Sequence, residues 1–134
     1  MTVSTVLIID DNAAFRKSFR DLLVQNFPDM RIEEAADVKG SLEKISEHPT
    51  DLIFVDIELA GESGLELIRK IRAAHAGQVI AIFTSYDLPE YRAAAKQSGA
   101  NYFFSKGGSS MDEVLTLVDT VVFEKQRQGE LEIP

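Results

Sequence analysis

A chain of 134 residues, 45% of them hydrophobic, is long enough to bury one core and falls in the usual size range of a single domain. Its 14 basic and 22 acidic residues leave a net charge of −8, a field that repels phosphate backbones and anionic membranes and argues against direct nucleic-acid or membrane binding. Cysteine is absent, which removes disulfides, thiolate metal sites and cysteine nucleophiles and fits a reducing cytosol; no apolar stretch approaches the ~20 residues needed to span a bilayer, and the N-terminus lacks the basic flank of a secretion signal. The expectation is a cytoplasmic protein whose chemistry runs on oxygen and nitrogen.

The run Val6-Leu7-Ile8-Ile9 is β-branched, apolar on both faces and cut off by Asp10-Asp11-Asn12, as in a parallel strand covered by helices on both sides. From Phe15, the residues Phe19, Leu22 and Leu23 recur at helical spacing until Pro28 ends the pattern. Met30 to Ala35 is a shorter, more polar and peripheral strand, followed by Asp37 as N-cap of a helix with Val38, Leu42 and Ile45 on one face. Leu52-Ile53-Phe54-Val55 repeats the first pattern and also ends in a carboxylate, Asp56; a helix over Ser63 to Arg72 then carries Leu65, Ile68 and Ile71. Val79 to Phe83 is a fourth buried run, closing on Thr84-Ser85, with Asp87-Leu88-Pro89-Glu90 as cap and first turn of a helix that ends near Gly99. Asn101 to Ser105 is a short aromatic strand ending at Lys106, and Ser110-Met111-Asp112-Glu113 reads as a capping box opening a helix with Val114, Leu117, Val118 and Val121 inward. Strict alternation with short connections predicts right-handed crossovers and a parallel sheet between helical layers. Residues 1–123 form the domain, and 124–134 turn polar, which predicts a tail or the stub of a linker.

In open parallel sheets, ligands sit outside the carboxyl ends of the strands. Those ends carry Asp10 and Asp11, Asp56, Thr84 and Ser85, and Lys106. With the first and third strands as neighbours, three carboxylates converge within a few ångströms, and like charges that close require a compensating cation. The donors are all oxygen, so the ion is hard: Mg2+, with Mn2+ as a substitute. Lys106 adds a compact positive charge for a phosphoryl oxygen. A carboxylate can attack phosphorus to give an acyl phosphate. Asp56, alone at its strand end, is the chosen nucleophile, while the adjacent Asp10 and Asp11 are better arranged to hold the ion; sequence alone does not prove that choice.

This set of residues, at these intervals, resembles the receiver domains of response regulators over roughly residues 4 to 123. The resemblance implies a flavodoxin-like doubly wound (βα)5 fold with strand order 2-1-3-4-5. It implies Asp10 and Asp11 as the metal-binding pair, Asp56 as phosphoacceptor, Thr84 as switch hydroxyl, Lys106 as the family's lysine, and Phe103 as switch aromatic. Gly64 matches the glycine opening the third helix, and the backbone carbonyl of Glu58 completes the metal shell. Glu58 and Tyr86, two places after Asp56 and Thr84, flank the water that hydrolyses the acyl phosphate. The implied phosphodonor is a histidine kinase or phosphotransfer protein, the output is the face of helix four, strand five and helix five, and the pattern admits a phosphorylation-dependent homodimer and an effector domain beyond Pro134. Such a domain is not an enzyme beyond its own phosphorylation and dephosphorylation.

Two departures predict looser segments. Ala60 stands where the family commonly has proline, so Ile57 to Ser63 is expected to be more mobile. Lys106 is followed by Gly107-Gly108 rather than proline; a cis bond there would cost ~3 kcal/mol, so the bond is expected to be trans and Lys106 less firmly placed. Taken singly, each polar group has a bland reading: Asp10-Asp11 as a helix cap, Asp56 as a turn residue, Thr84 and Lys106 as solvated strand ends. Only their joint placement points to a site. His48 and His75 have no partner at ligand spacing and read as surface residues. Two alternatives stay open: a pseudo-receiver that only binds a partner, and an aspartyl-phosphatase-type enzyme, against which stands Asn12 where that class carries its general acid.

Overall fold

The computed structural model describes residues 3–132, with side chains as far as residue 127. Its order is β1 (Thr5–Ile9), α1 (Ala13–Asn26), β2 (Arg31–Ala35), α2 (Val38–Glu47), β3 (Leu52–Val55), β4 (Glu58–Leu59), β5 (Glu62–Ser63), α3 (Gly64–Ala74), β6 (Val79–Thr84), α4 (Pro89–Ser98), β7 (Tyr102–Ser105) and α5 (Met111–Glu132). The main sheet is parallel with order β2-β1-β3-β6-β7. Numbered among the five long strands alone, that is the expected 2-1-3-4-5.

Every residue of β1 and β3 is buried, which explains their unbroken apolar runs. Alternate residues feed two cores. Val6, Ile8, Leu52 and Phe54 join Phe19 and Leu23 of α1 and Val114, Leu117 and Val118 of α5. Leu7, Ile9, Ile53 and Val55 join Leu67, Ile68 and Ile71 of α3 and Ala95 of α4. At ~1.5–3 kcal/mol for each large apolar side chain fully buried, these two layers are the main favourable term holding the strand ends in place.

Several helices start where the sequence places them. Asp37 caps α2 by accepting from the Gly40 amide, Ser63 caps α3 by accepting from Glu66, and Gly99 ends α4 at φ 104. The capping box at α5 is half present: Ser110 Oγ accepts from the Glu113 amide. Three expectations are corrected. Leu42 is exposed and Ser41 is the buried residue of α2, because the small Ser41 hydroxyl bonds back to the Asp37 carbonyl and lets the helix sit close to the sheet. Asp87 does not cap α4; the N-cap is Leu88, and the Asp87 carboxylate pairs with Arg92 instead. Beyond Phe123 the chain stays helical to Glu132, since residues 124–132 are mostly good helix formers even without an apolar stripe. Lys125 fastens that extension by bonding Asp51 Oδ2, which also accepts from the Thr5 amide. Residues 133 and 134 lie outside the described residues.

Candidate functional site

The register Ile9↔Val55 sets the ends of β1 and β3 side by side, so the next residue of each, Asp10 and Asp56, face one another. Both are buried, at 2% and 7% exposure, while Asp11 is exposed. One oxygen from each of the three lies within 4.8 Å of the others. Thr84, fully buried at the end of β6, donates a short hydrogen bond to Asp56 Oδ1, which also accepts from the Ile57 amide at 2.7 Å. Ser85 is exposed and takes no part.

Lys106 reaches across from the end of β7. Its Nζ donates to Asp10 Oδ2 at 2.7 Å and to Asp56 Oδ2 at 3.1 Å, and sits 4.0 Å from the Phe15 ring centroid. Burial opposes its charge, but the hydrogen bonds and charges of Asp10 and Asp56 outweigh it and raise the lysine pKa. Asp10 is also raised: burial is the larger influence there and is only partly offset by Lys106 and the Asn12 amide. The two directions are consistent, since Lys106 divides its charge between two acids. Three carboxylates against one ammonium leave two formal negative charges, matched in sign and hardness to a divalent, oxygen-preferring ion. The donor set therefore fits Mg2+.

The two segments expected to be loose are both tied down. Glu58–Leu59 and Glu62–Ser63 form a two-residue antiparallel hairpin with Leu59 fully buried, and the Ala60 amide donates to Asp11 Oδ2 at 2.9 Å. After Lys106, Ser109 Oγ accepts from the Ser105 amide and Ser105 Oγ from the Gly108 amide, a net of short bonds that replaces the rigidity of a proline. No described peptide bond is cis, as expected. Gly64 opens α3 against the site: a Cβ there would stand 1.9 Å from the Asp56 carbonyl oxygen.

Glu58 and Tyr86 are brought together, the Tyr86 hydroxyl donating to Glu58 Oε2 at 2.6 Å. Phe103 is half-buried on the α3–α4 side of the sheet, with the Arg92 guanidinium 4.5 Å from its ring centroid and Arg92 held by Asp87 at 2.6 Å. Tyr102 and Phe104 share the opposite side, stacked at 6.5 Å. His48 is half-buried and His75 exposed, each a helix C-cap remote from the acids. Sequence reasoning missed Phe15, Arg16 and Arg92 as supports. Arg16 donates to the Asp10 carbonyl and pairs with Glu34, and its place one turn beyond Asn12 was the available signal.

A model of the response regulator receiver domain family matches residues 6–119. Among curated relatives, the Fimbriae Z protein of Salmonella typhimurium is 30% identical over 106 residues, 79% of this chain and 50% of that protein. The oxygen regulatory protein NreC of Staphylococcus carnosus is 31% identical over 119 residues, 87% and 54% of the two chains. The chain spans about half the length of these relatives. Among solved structures, a CheY-like receiver domain protein from Methanospirillum hungatei superposes with a TM-score of 0.80 at 24% identity, over 94% of this chain and 99% of the other. A response regulator from Burkholderia pseudomallei, solved with a phosphorylated aspartic acid, calcium ion and citrate, gives 0.77 at 24% identity over 98% and 75%. The fold is thus CheY-like, within the flavodoxin-like class.

Proposed function

The chain belongs to the response regulator receiver domain family, and from that premise we propose that in the cytoplasm it accepts a phosphoryl group on Asp56 from a histidine kinase or phosphotransfer protein and thereby switches an output. The observation that carries this reading is the setting of Asp56: a buried carboxylate with Thr84 and the Ile57 amide on one oxygen and Lys106 on the other. An Asp56 oxygen forms the new bond to phosphorus as the bond to the donor nitrogen breaks, and positioned positive charge and hydroxyl donors stabilise the equatorial oxygens. Asp10, Asp11, Asp56 and the Glu58 carbonyl would hold Mg2+, or Mn2+ in its place, and the bound ion would supply charge against those oxygens. In a two-residue hairpin the pair nearest the turn exchanges the ladder bonds, which leaves the Glu58 carbonyl outside the ladder.

Once Asp56 carries the phosphoryl group, Lys106 and the Thr84 hydroxyl turn from the carboxylate to phosphoryl oxygens. Movement of Thr84 opens space for the Phe103 ring, and the switch is read on the α4–β7–α5 face. Phe103 has no hydroxyl, so packing alone, including the stacked Arg92, governs that rotation. Residues 1–123 form the receiver, and 124–134 lead toward an effector domain beyond Pro134, a reading supported by relatives about twice as long. Lys106 within reach of both buried acids supports a phosphoacceptor over a pseudo-receiver.

The test is intact-protein mass spectrometry after incubation with acetyl phosphate and Mg2+. Wild type is expected to gain one phosphoryl adduct and Asp56→Asn none, because an amide is a poor nucleophile toward phosphorus. Equal adduct on both proteins would sink the assignment, and sustained turnover of a generic phosphate ester would point to a phosphatase instead.

A further inference from the structure

Ala60 is the one described non-glycine residue with positive φ, at 51°, and Gly61 follows at 85°. Positive φ at both central residues is what a two-residue hairpin loop of type I′ demands, yet Ala pays for it sterically where Gly would not. The surroundings hold it there. Glu58 pairs with Ser63, Leu59 pairs with Glu62, and the Gly64 amide bonds the Ile57 carbonyl at 2.6 Å. The turn directs the Ala60 amide at Asp11 Oδ2, 2.9 Å away and 49 residues distant in the chain. Among the described residues this is the only hydrogen bond Asp11 makes, and Asp11 is the exposed member of the acidic trio, without the packing that fixes Asp10 and Asp56.

We propose that Ala60 is a positioning residue for the cation site: its amide fixes the Asp11 carboxylate, so that binding of the ion and closure of the β4–β5 hairpin are one linked event. This rests on the reading of Asp10, Asp11 and Asp56 as cation ligands. A free carboxylate on a loop must lose rotamer freedom when it ligates an ion, and a carboxylate already held by one oxygen has less to lose. The linkage runs both ways. Whatever factor the Ala60 amide contributes to ion affinity, the ion must return as added protection of that amide. The strained backbone at Ala60 is then held in place by the ligand it orients.

Mg2+ binding is to be measured by calorimetry on the full chain, for wild type, Ala60→Gly and Ala60→Pro. Glycine keeps the amide and accepts positive φ, so its dissociation constant should stay within about twofold of wild type. Proline removes the amide and cannot adopt that φ, and loss of a bond that orients a metal ligand should weaken binding about tenfold. In case proline unfolds the hairpin, hydrogen exchange of the Ala60 amide in wild type gives the second arm: saturating Mg2+ should slow it by about the same factor, relative to the amide of Gly77, which precedes β6 at the amino end of the sheet. Equal affinity of wild type and a folded Ala60→Pro, or an Ala60 amide whose exchange Mg2+ leaves unchanged, overturns the linkage alone. A wild-type chain that binds no Mg2+ overturns the cation reading and this proposal with it.

Discussion

The Tyr86 hydroxyl and the Glu58 carboxylate join the loops that follow β6 and β3, the two that present Thr84 and Asp56. The Tyr86 ring is further braced edge to face on Tyr91 at 5.4 Å, and its hydrogen bond to Glu58 raises the phenol pKa, so the hydroxyl holds more firmly the proton it donates. A Glu58 carboxylate that accepts from tyrosine is less free to act as a general base on water. The bulk of the Tyr86 ring would also shield the phosphorus of a modified Asp56 from water, and shielding and withdrawal of that base act in the same direction, toward a long-lived phosphoaspartate. After donor removal, Tyr86→Ala should lose its phosphoryl group roughly 3- to 10-fold faster than wild type, and Tyr86→Phe, which keeps the ring but frees Glu58, should fall between them. Decay of Tyr86→Ala no faster than wild type would show that the lifetime is set elsewhere. Gly64 makes a different kind of demand. Its missing Cβ leaves room for the Asp56 carbonyl, so Gly64→Ala must displace α3 or the Asp56 peptide, at about 1–3 kcal/mol in urea unfolding. An unchanged midpoint would mean that α3 yields freely.

At the scale of elements, Arg72 in the last turn of α3 joins the most pieces. It donates to the Gly99 carbonyl at 3.1 and 2.7 Å, to Ala76 at 2.8 Å, to Gln78 at 2.5 Å and to Asn101 Oδ1 at 2.8 Å, which also accepts from the Ile80 amide. One guanidinium thus satisfies the end of α4 and the entries to β6 and β7 with no carboxylate partner. Hydrogen bonds from a charged donor are worth ~1.5–3 kcal/mol in mutational series, so Arg72→Ala should lower unfolding stability by about 2–3 kcal/mol, and Arg72→Lys should recover only part because the planar fork is lost. A loss under half a kilocalorie would reduce the hub to decoration. None of this was legible in the sequence, because Arg72 bonds backbone carbonyls that carry no sequence mark. The strands and the caps at Asp37 and Ser110 were legible, unlike those of α1 and α4: apolar runs ending in Asp, Thr or Lys state both the element and what it presents. The hairpin at 58–63 was not, since two residues per strand are too few to show a period, and Ala60 gives no hint of positive φ. The extension of α5 was missed for the converse reason, helix-forming residues without an apolar stripe. The site's end groups could be read from strand termini, whereas their supports, Phe15, Arg16, Ala60 and Arg92, come from other elements and became visible only with the packing.

For the whole molecule, the acid pocket links folding to ion and proton. Burial holds the Asp10 carboxyl above its ordinary value of 3.8, and the Lys106 bond offsets this only in part. The folded chain therefore binds this proton more readily than the unfolded chain. The stability tied to Asp10 is present at low pH and is lost as pH rises from 3.8 through the raised folded value. At neutral pH the protein bears that cost, and a divalent ion bound at Asp10, Asp11 and Asp56, as proposed, would relieve it. Mg2+ at 100 times its dissociation constant should stabilise the fold by about 2.7 kcal/mol, which for a domain of this size raises Tm by roughly 10 °C. Proton and ion compete for the same oxygens, so the Mg2+ shift should be larger at neutral pH and shrink as pH is lowered toward the raised Asp10 value. Asp11→Ala removes an exposed carboxylate without opening the core, and should lose most of the shift at neutral pH while folding normally. Calorimetric melts with and without Mg2+ at neutral and at lowered pH decide the matter. A shift in Asp11→Ala equal to wild type would count against the site, and a wild-type shift that stays constant as pH is lowered would count against Asp10 as the group that exchanges a proton for the ion.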